Sequence, residues 1–246
     1  MQCPKCHAEQ ADQNTICERC GIVFAKYYKY HPPEGRPAVM PLPPNRRRAA
    51  RSRWREWLLP EPAAGDPVAV WGRGLLLLVL AIWGGRLMFA PVSANAAGES
   101  FLHLINLPFH EAGHLFFRPF GQFMMTLGGT LGQLLMPAIC GAVLLLKTRD
   151  PFGASVALWW FGENFLDIAP YINDARAGVL PLIGGNFGHS APYGFHDWEY
   201  LLTETGLIQW DHALAWFTHI SGALIMLMAL AWGAVLVYRG WRVGRR

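Results

Sequence analysis

Residues 108–115 read PFHEAGHL and stand in an apolar stretch of the chain. On a helix, His110 and His114 lie four residues apart, so both imidazoles project from one face about a turn from each other. Ionisable side chains at membrane depth cost free energy, and where they occur they mark functional sites. Two neutral imidazoles supply half of a tetrahedral zinc site, and Glu111 beside them can take a proton from metal-bound water. The stretch therefore predicts a catalytic zinc site within a membrane protein.

The composition of the whole chain agrees with a membrane location. Of its 246 residues 52% are hydrophobic and only 15% are charged, whereas soluble domains carry roughly a quarter charged residues. We predict an all-α polytopic membrane protein with about four to six membrane helices and a small N-terminal zinc ribbon. One segment, 101–118, is short and contains Pro108, so it is either a tilted span or a re-entrant helix. The predicted membrane segments are 68–90, 101–118, 122–146, 152–170 and 212–238.

Four cysteines form two CxxC pairs within the first twenty residues: Cys3, Cys6, Cys17 and Cys20. This spacing predicts four thiolates around one structural zinc ion, whose binding supplies the folding energy of so short a module. An iron site or two disulfides are the alternatives, and a reducing compartment favours zinc. The module resembles the small zinc ribbons at the N-termini of many bacterial membrane proteins. A closed four-sulfur site has no open position for catalysis, which implies recognition or tethering.

The chain divides into a zinc ribbon at 1–27, a Pro-rich and Arg-rich linker at 28–66, and a membrane-embedded domain at 67–246. The linker includes a predicted interfacial helix that directs Trp54, Trp57 and Leu58 toward the acyl chains. Arginines cluster at 46–55 and 239–246 and predict contact with anionic lipid head groups rather than with nucleic acid. We expect an integral protein of the bacterial inner membrane, without a signal peptide and with a cytosolic ribbon.

A catalytic zinc site needs three protein ligands and one open position. The third ligand must come from the second half of the chain, where several side chains can serve. The candidates are Glu163, Asp167, Asp174, His189, His196 and Asp197.

Residues 109–117, FHEAGHLFF, are followed by 127–133, LGGTLGQ, and by Pro137. This run resembles the intramembrane metalloproteases of the site-2 protease type, in their small bacterial branch. In that family an Asp from a later segment is the third ligand, and the matching stretch here is 196–206, HDWEYLLTETG. The resemblance implies that zinc is held by His110, His114 and Asp197. The family's Asn-Pro-Asp-Gly or Leu-Asp-Gly form is absent, so His196 and Asp167 remain competitors.

These residues predict an intramembrane zinc metallopeptidase that cleaves membrane-associated protein substrates. Glu111 is the expected general base, with zinc-bound water as the nucleophile. Asn164 either hydrogen-bonds the substrate backbone or oxyanion, as a catalytic residue, or bridges two helices. The alternative is a non-catalytic membrane scaffold, or a partner-binding protein, with a protease-like fold. Gly128, Gly129 and Gly132 predict close approach of a neighbouring helix.

Overall fold

The computed structural model of the chain describes residues 1–31, 55–61, 67–183 and 185–244. The backbone separates into two compact units, Met1–Arg51 and Ser52–Arg246. Within the described residues the secondary structure is helical, apart from three isolated antiparallel bridges. Most of the predicted linker lies outside these residues, including Trp54 of the predicted interfacial helix.

The first unit is built around the four cysteines. Antiparallel bridges join Gln2 to Glu9 and Ile16 to Val23, so each CxxC pair sits at the turn of a short hairpin. Helix α1, Phe24–Tyr30, follows the second hairpin and buries Phe24 against the cysteines. The helix continues three residues beyond the predicted end of the ribbon at residue 27.

The second unit holds six helices in its described residues. They are α2 (Pro67–Phe89), α3 (Phe101–Phe117), α4 (Gln122–Leu146), α5 (Pro151–Asn173), α6 (Asp197–Glu204) and α7 (Asp211–Val243). Residues 55–58 form a further short helical turn.

Three helical segments are long and apolar enough to cross a membrane: Pro67–Phe89, Gln122–Leu146 and Ile208–Val243. They correspond to three of the five predicted membrane segments, and they support a membrane protein. The predicted segment 152–170 is a helix, α5, but it does not meet this criterion. The reason is its composition, because Glu163, Asn164 and Asp167 lower its mean hydropathy. These three side chains lie on the buried face of α5, which is the most buried of the described helices.

Segment 101–118 also forms a helix, α3, which is too short to meet the same criterion. It packs against α4 as a hairpin with unusually close backbone contact. A Cβ atom added to Gly128 would lie 2.6 Å from the carbonyl oxygen of Gly113, and one added to Gly132 would overlap the Phe109 carbonyl oxygen. The predicted role of these glycines in close helix approach is therefore seen in the contacts.

Four helix termini meet at one end of the membrane unit, which we call the basic end. It comprises the N-termini of α2 and α5 and the C-termini of α4 and α7. The Arg73 guanidinium of α2 lies 5.4 Å from the centre of the Phe152 ring at the start of α5. Residues 55–61 pack at the same end, where Arg149 lies 4.1 Å from the Trp57 ring centre and Arg239 donates a 2.8 Å hydrogen bond to the Leu59 carbonyl.

The opposite end, which we call the cavity end, contains the C-termini of α2 and α5 and the N-termini of α4 and α7. His219 Nε2 of α7 donates to the carbonyl oxygen of Met88 near the end of α2, at 3.0 Å. Arg176, just after α5, forms an ion pair of 2.7 Å with the buried Asp211 at the start of α7. A connecting segment, residues 174–196, leads from α5 to α6 at this end.

Candidate metal centre

Three side chains from distant parts of the chain converge on one point. His110 and His114 project from one face of α3, and the Asp197 carboxylate comes from the first residue of α6. Asp197 Oδ2 lies 3.0 Å from His110 Nε2 and 3.3 Å from His114 Nε2. The ligand atoms of the two histidines and the Glu111 carboxylate lie within 4.8 Å of one another.

Each histidine is oriented through its other ring nitrogen. His110 Nδ1 lies 2.7 Å from Gln133 Oε1 on α4, and His114 Nδ1 lies 2.9 Å from the Met125 carbonyl oxygen. Both partners are acceptors, so Nδ1 carries the proton in each ring, an assignment made from the hydrogen bonds. The Nε2 atoms therefore point to the site shared with Asp197, where each can donate a proton to the carboxylate in the metal-free protein and can offer its lone pair to a bound metal ion.

The position of Asp197 is fixed by the start of α6. Its backbone N–H donates to the Tyr171 hydroxyl at 3.1 Å, while the His196 side chain caps the helix by accepting the Glu199 N–H at 3.2 Å. Burial raises the pKa of the Asp197 carboxyl, but hydrogen bonding to His110 and His114 outweighs burial and holds the pKa below its ordinary value. The group is therefore available as an anionic ligand.

The other candidates for the third ligand are engaged elsewhere. His196 is fully buried, stacks on the Tyr171 ring at 4.2 Å, and directs Nε2 toward Asp174 Oδ2 at 3.5 Å. Asp174 also accepts the backbone N–H groups that follow α5. Asp167 pairs with His103 at 2.9 Å and accepts a hydrogen bond from Asn106. Glu163 accepts a second hydrogen bond from the same Asn106 amide. His189 is engaged through Nδ1, which lies 2.7 Å from the Gly178 carbonyl oxygen.

The three converging groups fit a zinc ion. Tetrahedral zinc with bonds of 2.0–2.1 Å places its N and O ligands about 3.3 Å apart. The two distances from the Asp197 oxygen, 3.0 and 3.3 Å, are close to this separation. A set of two imidazoles and one carboxylate leaves the fourth position open, as in catalytic zinc sites.

The ribbon cysteines provide a second candidate metal site. Cys3 Sγ lies 3.7 Å from Cys20 Sγ, Cys6 Sγ lies 3.6 Å from Cys17 Sγ, and all four sulfurs lie within 4.8 Å of one another. Zinc–sulfur bonds of 2.3 Å predict separations of about 3.8 Å, whereas a disulfide needs about 2.05 Å. The Cys20 N–H, directed at the Cys17 sulfur, lowers the pKa of that thiol to about 6, which favours the thiolate.

A cavity of about 430 Å³ opens beside the histidines. Polar groups of α3 and α5 form one part of its wall, and apolar residues of the 174–196 segment form another. Its lining includes His103, His110, Glu111, His114, Thr130, Gln133, Asp167, Tyr171, Leu180, Pro181, Leu182, Ile183, Phe195 and Asp197. The volume lies in the range of small-molecule binding sites and is larger than an ion alone would occupy.

Asn164 lies behind this wall and does not line the cavity. The side chain is fully buried, its Nδ2 donates to the Trp160 carbonyl at 3.0 Å, and its Oδ1 accepts from Gln133 Nε2 at 3.2 Å. These contacts correspond to the bridging role considered for Asn164, between α4 and α5. Through Gln133 the bridge also reaches His110.

Three residues around the centre were not singled out by the sequence: Gln133, which holds His110; Tyr171, which holds Asp197; and Thr130. Thr130 lines the cavity, and its buried hydroxyl has no hydrogen-bond partner among the residues that the structure describes. Thr130 and Gln133 follow Gly129 by one and four residues, and a Cβ atom added to Gly129 would lie 2.5 Å from His110 Nε2. The four-residue spacing from Gly129 to Gln133 was an available signal for Gln133, once the side of α4 that faces the site is known; spacing gave no such signal for Thr130.

Compared with known protein families, with curated proteins and with solved structures, the chain matches none.

Proposed function

We propose that the chain is an integral membrane zinc peptidase similar to the site-2 proteases, with His110, His114 and Asp197 as zinc ligands. The observation that carries the proposal is the approach of one Asp197 oxygen to both Nε2 atoms, across more than eighty residues of sequence. A second supporting observation is that the Nδ1 atom of each histidine has its own acceptor, as metal-bound histidines ordinarily have.

Bound zinc would supply a Lewis acid that lowers the pKa of water toward neutrality and polarises a peptide carbonyl. Glu111 supplies the general base, since its carboxylate lines the cavity within reach of the ligand nitrogens. From this position it can accept a proton from the attacking water and pass it to the leaving nitrogen.

The substrate that suits this site is a locally extended segment of a membrane-associated protein. Helical amides are hydrogen-bonded internally, so a transmembrane substrate must unwind to present its scissile carbonyl. The apolar wall formed by Leu182, Ile183 and Phe195 fits hydrophobic substrate side chains. Membrane lipids are the other expected partner, and we place the chain in the bacterial inner membrane with a cytosolic ribbon.

The test combines metal counting with a cleavage assay on the full chain in detergent or lipid. We expect about two zinc ions per wild-type chain, one in the ribbon and one at the histidines. Asp197→Ala should lose about one of them, and Glu111→Gln should keep both. Glu99→Gln is the control, because Glu99 is an exposed carboxylate at the cavity end that does not line the cavity.

Cleavage is measured with a library of quenched-fluorescence peptides that carry apolar segments. We expect hydrolysis by the wild type and by Glu99→Gln, and none by Glu111→Gln. Zinc at the ribbon alone, or equal cleavage by wild type and Glu111→Gln, would overturn the proposal in favour of a non-catalytic scaffold.

A further inference from the structure

The basic residues of the membrane unit are distributed unequally between its two ends. At the basic end the described residues include Arg55, Arg73, Lys147, Arg149, Arg239 and Arg242. In the sequence, five more arginines at 46–53 precede the described residues 55–61, and two at 245–246 follow α7. At the cavity end the described basic residues are Arg86, Arg118 and Arg176, and Arg176 is neutralised by Asp211.

The candidate metal centre is reached from the other end. Leu180, Pro181, Leu182, Ile183 and Phe195 of the cavity wall follow the C-terminus of α5, while Asn95 and Gly98 follow the C-terminus of α2. Helix α5 has 23 residues between the basic end and this wall. At 1.5 Å per residue it spans about 34 Å, slightly more than the roughly 30 Å of bilayer hydrocarbon.

Loops that carry an excess of Lys and Arg within 15–20 residues of a span stay on the cytosolic side. We infer that the basic end faces the cytosol and that the cavity opens at the opposite, extracytoplasmic face of the membrane. A second step rests on the proposed function. If the chain is a peptidase in this orientation, its substrates are membrane-anchored proteins whose cleavable apolar segment lies at or near the extracytoplasmic leaflet. Substrates cut at the cytosolic boundary are excluded.

Labelling of one introduced cysteine tests the sidedness without requiring activity. Because the four ribbon cysteines remain, each signal is read against that of the Cys140→Ser parent. Ile183→Cys places a thiol on the cavity wall, where Ile183 is 54% exposed, and Lys147→Cys places one at the basic end. Both are made in a Cys140→Ser background and expressed in bacteria whose outer membrane has been permeabilised. A membrane-impermeant maleimide should label Ile183→Cys in intact cells and label Lys147→Cys only after lysis.

Ser190→Cys introduces a second exposed thiol in the same connecting segment. It shows whether the labelling of Ile183→Cys reports the side of the membrane or only the surroundings of that one residue. Each variant is accepted only if it retains the zinc content of the wild type. Labelling of Lys147→Cys in intact cells, or protection of both cavity-end cysteines until lysis, would overturn the orientation.

Membrane vesicles of defined orientation then test the substrate side, with a water-soluble quenched peptide that cannot cross the bilayer. Right-side-out vesicles should cleave it and sealed inside-out vesicles should not, while Glu111→Gln vesicles of either kind should be inactive. Cleavage by inside-out vesicles alone would refute the inference and leave the peptidase proposal standing. Equal cleavage by wild type and Glu111→Gln, or no cleavage by the wild type in detergent, would refute the peptidase proposal. Either result would leave the labelling result on orientation intact.

Discussion

Adding one methyl group to α4, in Gly129→Ala, should strongly weaken zinc binding at the histidines. The Cβ atom of Gly129→Ala would lie 2.5 Å from His110 Nε2 and 2.6 Å from His114 Nε2, whereas ordinary contacts begin at 3.4 Å. The rings or the helix must therefore move by about 0.9 Å, while zinc ligands tolerate displacements of about 0.2 Å. Movement of α4 away from α3 would open the close backbone packing at Gly128 and Gly132 and lose its contacts.

We expect the zinc affinity of this centre to fall at least about 100-fold in Gly129→Ala. This decrease is larger than the roughly 10- to 100-fold decrease typical when a residue that hydrogen-bonds a metal ligand is lost. The measurement is a zinc titration against a competing chelator, with the ribbon zinc as an internal reference. Gly141→Ala is the matched control on the same helix, since its new Cβ would lie at an ordinary 3.5 Å from Ala157.

Gly141→Ala should bind zinc as the wild type does. If Gly129→Ala also bound within about threefold of the wild type, a difference of less than about 1 kcal/mol, the ligand nitrogens would not face α4 as described. The arrangement of His110, His114 and Asp197 on which the proposed function depends would then be incorrect.

Three further changes probe the surroundings of the centre. Gln133→Leu should weaken zinc binding about 10- to 100-fold, measured by the same titration, because His110 Nδ1 loses its acceptor. Thr130→Val should lower kcat by about 100-fold in the peptide assay, with little change in zinc content, and Thr130→Ser should retain activity. The reason is that Thr130 lines the cavity beside the histidines and its buried hydroxyl has no partner among the described residues. Asp174→Asn should lower the thermal stability at neutral pH. Burial raises the pKa of Asp174, but its hydrogen bonds with His196 and two backbone N–H groups hold the pKa below the ordinary value. The ionised carboxylate therefore stabilises the folded chain above about pH 4, and this stabilisation is lost as the pH falls further. Melting curves of the wild type and the variant should converge in acid.

The parts of the molecule that the sequence predicts well are those set by local spacing. The two CxxC pairs place four sulfurs together because each pair occupies one hairpin turn. The two turns are alike, since the residue after each pair has a positive φ: 57° at His7 and 71° at Gly21. The HExxH spacing likewise brings two imidazoles to one face of α3. These relations need nothing beyond hairpin and helix geometry.

The remaining parts depend on the register between distant helices. Gln133 supports His110 only because Gly113, Gly128 and Gly132 let α3 and α4 approach at one particular register. The choice of Asp197 over its neighbour His196 depends on the start of α6, where His196 turns back to cap the helix. Spacing along the chain does not encode either relation, and for Asp197 only the resemblance to a family favoured the residue that the geometry brings to the histidines.

The predicted span at 152–170 shows how polar residues determine the arrangement of the bundle. A charged side chain at the bilayer centre costs about 2.5–3.5 kcal/mol, so Glu163 and Asp167 together would penalise exposure of α5 to lipid by about 5–7 kcal/mol. Burial removes this penalty only where donors are supplied, and α3 supplies them, since Asn106 donates to both carboxylates at 3.0–3.1 Å and His103 pairs with Asp167. The same face of α3 that satisfies α5 continues, one turn beyond Asn106, into the face that carries His110 and His114. The polar face of α5 therefore holds α3, the helix that carries His110 and His114, against the bundle, while α2, α4 and α7 present apolar surfaces outward.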